Sequence, residues 1–165
     1  MTISQSLLGE FDQEMTSTRK MLERFPEGKS EWRPHPRSMT LGRLAGHTAE
    51  VPWWAAETMR VETMEVDPKT YKPVFATSQE QILSYFAENV KNARAAIAKA
   101  SDEDMTKNWS ILMDGKPLFT MPRIAVLRAF VMNHMVHHRG QLTVYYRMNE
   151  VSVPAIYGPS ADEQA

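Results

Sequence analysis

A chain of 165 residues, with 19 Lys plus Arg against 20 Asp plus Glu and a formal net charge of -1, has the length of one ordinary domain and no basic excess. That balance gives no reason to expect a nucleic-acid partner, and the absence of a Lys/Arg stripe or a bilayer-length apolar run argues against a membrane. Cysteine is absent, which excludes disulfides, thiolate ligands and a cysteine nucleophile, so any thiol in this protein's chemistry must arrive on a small molecule.

The start Met1-Thr2-Ile3-Ser4-Gln5 lacks the basic region and apolar run of a signal peptide, and a cytoplasmic location is the expectation. Helical periodicity begins at once. Ile3, Leu7, Phe11, Met15, Thr18, Leu22 and Phe25 recur every three or four residues and define one face of a first helix, which Pro26 and Gly28 end. Pro34 and Pro36 keep the following loop out of helical geometry. A second helix is predicted from Thr40, a good N-cap residue, with the stripe Leu41, Leu44, Thr48, Val51, Ala55 and Met59. Pro52 lies inside it and is expected to kink the helix or restart it.

Asp67-Pro68 and Lys72-Pro73 mark a long connection. Ser78-Gln79-Glu80-Gln81 has the pattern of a capping box and opens a third helix with Ile82, Phe86, Val90, Ala93, Ile97 and Ala100 on its buried face. The run from Trp109 to Lys116 ends in Asp114-Gly115 and reads either as a short β-hairpin or as an irregular loop. A fourth helix is predicted from about Met121-Pro122 to about Met148, with the stripe Ile124, Leu127, Val131, His134, His138, Leu142 and Tyr145. Four long amphipathic segments predict one all-α, four-helix domain over residues 1–165, and connections longer than tight turns leave the order of the helices open.

The candidate chemistry lies in the histidines. There are five, and His134, His137 and His138 fall within one short stretch. His134 and His138 lie about 40° apart around a helix, one turn above the other, on the apolar stripe. Two buried imidazoles so close each need a partner for the second nitrogen, and their charged forms repel. A divalent metal ion removes both problems. Two ligands are too few for a firm site of the zinc type, which wants three plus an open position. His47, near the stripe of the second helix, is the candidate third; the alternative is a polar residue at the edge of that face. His137 can replace His138 geometrically, but His138 continues the stripe. His35, between prolines and arginines, reads as solvated. The segment is not a zincin motif, since no glutamate follows His134. Trp53 and Trp54 follow His47 and either line an apolar pocket or pack as ordinary core or interface residues. Neither Glu50 nor Arg139 has a spacing that makes it a general base or an anion clamp.

The run His134-x-x-x-His138-Arg139-Gly140-Gln141-Leu142, an upstream histidine in the second helix, and the C-terminal stretch Val153 to Glu163 resemble the DinB-like superfamily of bacterial metal-binding four-helix bundles. The resemblance covers nearly the whole chain. It implies an up-down-down-up bundle, His47, His134 and His138 together as the ligands of one divalent ion (nickel or zinc foremost), and a homodimer, for which Gly140 and the Trp-rich part of helix two offer surface. It implies too that relatives use a low-molecular-weight thiol on a small electrophile. A metal-dependent thiol transferase is therefore the leading expectation. A metal-dependent hydrolase, a non-catalytic metal-binding stress-response protein and a metal-free helical dimer are the others.

Overall fold

The structure, a computed structural model, describes residues 1–164. Its elements, in chain order, are α1 (Ile3–Leu22), α2 (Leu41–Arg60), β1 (Thr63–Glu65), α3 (Gln79–Lys99), α4 (Asp102–Thr106), β2 (Asn108–Met113), β3 (Lys116–Pro122), α5 (Arg123–Ala125), a π-helical segment Val126–Asn133, and α6 (His134–Arg147). The last three follow one another without a break and together form the predicted fourth helix. No helix among the described residues is long and apolar enough to cross a membrane.

Each long helix begins where its side chains can satisfy the free backbone donors of its first turn. Thr2 and Gln5 form a reciprocal capping box on α1. Thr40 accepts from the Arg43 amide at 3.3 Å on α2. On α3 the expected box is only half made. Ser78 accepts from the Gln81 amide, but the Gln81 side chain turns to the amide and hydroxyl of Thr77 instead of closing on Ser78. Pro52 neither ends nor restarts α2, which runs through it.

The predicted stripes meet in a single core. Leu7, Phe11, Leu22, Leu41, Leu44, Ile82, Ile97, Leu127 and Tyr146 are buried almost completely. Asp12 on α1 pairs with Arg94 on α3 at 2.9 Å, and Asn89 on α3 donates to the Ala49 carbonyl of α2 at 3.0 Å. The strap 74–76 lies directly on the first turns of α2, with the Ala76 amide donating to the Gly42 carbonyl at 2.9 Å. A Cβ at Gly42 would stand 2.6 Å from the Ala76 carbonyl oxygen, and one at Gly46 would collide with the carbonyl of Val74. Only glycine admits so close a backbone approach, and it occurs one residue before His47.

The all-α expectation is corrected by a three-stranded sheet of order β1-β2-β3. Of the two readings of 109–116 the hairpin is the one observed. β2 and β3 pair antiparallel, with Trp109 opposite Met121, and turn through Asp114 and Gly115, both at positive φ. The connection after α2 adds β1 in parallel, Thr63 opposite Ser110. Met121 and Pro122 thus belong to β3, and the last helix starts just after them. Trp109 carries the sheet into the core, where it packs on Phe119 and Phe130.

Candidate metal centre

α2 and α6 face each other, and each turns histidine inward. His47 lies in the second turn of α2, within a run that places Leu44, Val51 and Trp54 in the core. His134 and His138 occupy successive turns of α6, with Met135 and Leu142 buried around them. The π segment immediately before α6 changes the local bonding. In an α-helix the Phe130 carbonyl would take the His134 amide; here that amide bonds to the Val131 carbonyl, and the His134 ring takes Phe130 O with Nδ1 at 3.2 Å.

The three Nε2 atoms converge. Those of His134 and His138 are 2.7 Å apart, and those of His134 and His47 are 3.4 Å apart. All three donor atoms lie within 4.8 Å of one another. On the far side of each ring Nδ1 faces an oxygen that only accepts. His47 Nδ1 is 3.3 Å from Glu50 Oε2, His134 Nδ1 meets the Phe130 carbonyl, and His138 Nδ1 is 2.7 Å from Gln141 Oε1. Those contacts assign the proton to Nδ1 in every ring. Each Nε2 then presents a lone pair to the other two, with no donor between them. Such a cluster is repulsive by itself and is relieved by a cation at its centre.

The donor set fits a divalent metal ion. Three neutral imidazoles are a common ligand set for zinc, and two nitrogens on one tetrahedral ion lie about 3.3 Å apart. The His47–His134 separation matches this, and the His134–His138 pair needs a few tenths of an ångström of opening. Burial favours the neutral rings the site requires. It pushes His138 down to about 4, the nearby His47 and His134 rings adding to the shift and the Gln141 hydrogen bond opposing it. Burial also lowers His134, with His47 as the second cause.

Around this centre lies a shell that the sequence reading did not assign. Glu50 is buried, and its Oε2 accepts from both His47 and the Tyr71 hydroxyl, the latter at 2.6 Å. Burial and this carboxylate raise the Tyr71 phenol to about 12, so it stays a donor. Phe130 packs edge-on against Trp54 and lies against His134. Trp53 and Trp54, with Met64, Val66 and Tyr71, line a cleft of about 180 Å³ beside this shell. The other two histidines lie outside. His137 is exposed, its ring resting on His138, and His35 is exposed with Nδ1 accepting from the Arg37 amide. Arg139, though next to His138, points to the opposite side of α6, where it pairs with Glu14.

Glu50 and Gln141 each follow a ligand by three residues, the spacing at which side chains on one helix face meet, and that signal was available in the sequence. Tyr71 comes from the proline-marked connection, where no periodicity could have pointed to it.

With this geometry in place, comparison with known proteins is informative. The model of the DinB family matches residues 1–165. The chain is 31% identical over 152 residues to the uncharacterized protein YrdA of Bacillus subtilis strain 168, covering 92% of this chain and 86% of that protein. A crystal structure of a DinB-like protein from Bacillus cereus ATCC 10987 superposes with a TM-score of 0.70 at 28% identity, over 94% of this chain and 98% of that one. The DinB-like protein YjoA of Bacillus subtilis gives 0.68 at 16% identity, over 97% and 99%, which speaks for the fold alone.

Proposed function

The chain belongs to the DinB family, and on that premise we propose that it is a divalent-metal enzyme, with His47, His134 and His138 as ligands, that transfers a small-molecule thiol to an electrophilic substrate. One observation carries the metal reading: three Nδ1–H groups are committed to acceptors, so three Nε2 lone pairs face one another unanswered. Nickel and zinc suit a three-imidazole set best. When bound, the ion supplies Lewis acidity that favours the anionic form of a thiol or water at neutral pH.

The chain's own residues do the rest. Glu50 fixes the His47 tautomer and places a negative charge behind it, while Tyr71 holds Glu50 in position. Gln141 does the same for His138 through a neutral amide. Trp53 and Trp54 offer an apolar wall for a small electrophile, and the chain carries no thiol to intercept it. The reading includes the up-down-down-up order. It is supported by Asn89 beside Ala49 and Arg94 beside Asp12, which set α3 alongside α2 and against α1, and by Tyr145 bonding to Met39 while Arg123 bonds to Val61. It also includes a homodimer through α6, where Gly140 has open space in front of it and Val144 and Met148 are exposed.

Metal analysis of protein purified without a histidine tag tests the centre. Wild type, His35→Ala and His137→Ala are expected to carry the same metal, and the three ligand variants to lose most of it. Full metal in His138→Ala with loss in His137→Ala would reassign the ligand. Supplying the loaded protein with bacterial thiols and monobromobimane tests the chemistry. Thiol consumption no faster than that of His134→Ala defeats the transferase reading, and turnover of esters or amides instead would establish a hydrolase.

A further inference from the structure

At the other end of α2 lies a second concavity. His47 and Arg60 are separated by thirteen residues of helix, about 20 Å along the axis. There the last turns of α2 and α3 and the start of α5 enclose a cavity of about 490 Å³. Ala56, Met59, Ala95 and Ala96 make its apolar surface. Small side chains at consecutive turns leave this space open; longer ones would fill it.

The charged residues on the wall are not balanced. Arg60 lines the cavity but is held by Glu57, and Asp104 lines it with its carboxylate engaged by Lys107 and Ser101. That leaves Lys99, exposed at the rim, and Arg123. Arg123 is only 7% exposed. Among the described residues its guanidinium makes one hydrogen bond, from Nη2 to the Val61 carbonyl at 3.1 Å, its Nε is buried without a partner, and no carboxylate pairs with it. A guanidinium does not deprotonate to escape burial, and a buried positive charge without an anion is costly. Arg139, the other deeply buried arginine, shows the usual arrangement, with the Glu14 carboxylate at 2.7 Å.

We propose that this cavity binds a small organic anion, a carboxylate or phosphate monoester whose charged group pairs with Arg123 and Lys99 while its short apolar body lies on the alanine surface. Arginine suits planar, two-point recognition of oxyanions. The apolar lining and the volume call for more than a bare inorganic ion. The site is independent of the histidine centre and of the reaction proposed there.

The test uses the full chain, metal-loaded, titrated with inorganic phosphate, butyrate, phenyl phosphate and, as a cationic control, butylamine. Binding is followed by calorimetry and by the methyl resonances of Ala95 and Ala96. Butyrate or phenyl phosphate is expected to bind and shift those methyls, with inorganic phosphate weaker and butylamine silent. Arg123→Gln should weaken binding by about tenfold or more, Arg123→Lys less, and Lys99→Gln by about threefold, while His134→Ala leaves it unchanged. Should Arg123→Gln not fold, Lys99→Gln and the methyl shifts decide the matter. The proposal is overturned if neither organic anion moves the Ala95 and Ala96 signals, if butylamine binds as well, or if inorganic phosphate equals the organic anions.

Discussion

Adjacent residues of α6 enter two buried polar clusters of opposite character. Arg139 is 3% exposed. Its Nη1 donates to the Glu14 carbonyl and to Thr18 Oγ1, its Nη2 to the Glu14 carboxylate and to the Tyr157 hydroxyl, and Tyr157 in turn donates to Glu14. This guanidinium is fully surrounded by acceptors, and the cluster fastens the C-terminal tail to α1. His138, one residue earlier, satisfies only its outer nitrogen and leaves the inner one facing two more of its kind. A polar cluster that closes on itself stabilises; one that ends in unanswered lone pairs is built for something that is added. That difference, more than burial or proximity, separates clamp from site.

The largest expected effect breaks the closed side. Arg139→Ala removes one partner of a buried ion pair and should cost about 3–5 kcal/mol in urea unfolding, with the metal affinity of the surviving folded protein little changed. A loss below 1 kcal/mol would show that the cluster is not the clamp its geometry indicates.

Acid should act next, and on the open side. His138 is held at about 4 against an unfolded value near 6.5, so the unfolded chain takes up a proton first as pH falls. Stability of the metal-free protein is therefore fully present above about pH 6.5 and declines towards about pH 4. With solvent screening part of the effect, the decline is about 2 kcal/mol. Bound metal should leave over the same range, because each ligand must be neutral. A His138→Phe variant with an unchanged acid limb would trace the loss to other groups.

A smaller effect sharpens the comparison. Glu50→Gln and Gln141→Ala keep all three ligands and remove their outer partners. Each is expected to weaken metal affinity about 10- to 100-fold, as measured by competition with a chelator. Glu50→Gln should weaken it more, because it also removes a negative charge. Affinity unchanged in both would mean that the rings are held by packing alone.

The parts of this arrangement that were legible in the sequence share one physical basis. His134, His138 and the core stripes repeat at the helical period, and that period is written along the chain. Thr40 and Ser78 announce helix starts through local hydrogen bonding, which is also local in sequence. β1 was not legible, because three residues cannot display a period and their partner strand lies more than forty positions away. The Arg123 cavity was not legible either, because it depends on which side chains fail to meet. The pairing of His47 with the other two histidines was only partly so: its face could be read, but not the crossing of α2 and α6 that brings it there.

The π segment has a consequence for how this molecule tolerates change. Each π turn holds more residues than an α turn, so the segment stores surplus chain inside a helix. Deleting one residue between 126 and 133 would let it tighten to α geometry, turning everything beyond it by about 100° relative to everything before. Phe130 and Trp109 lie on one side of that joint, and His134 and His138 on the other. The segment therefore sets the phase between the aromatic wall and the ligand pair. A single-residue gap there dismantles the centre without touching a ligand, whereas the same gap in the loop between Asp67 and Pro73 need not be felt at all.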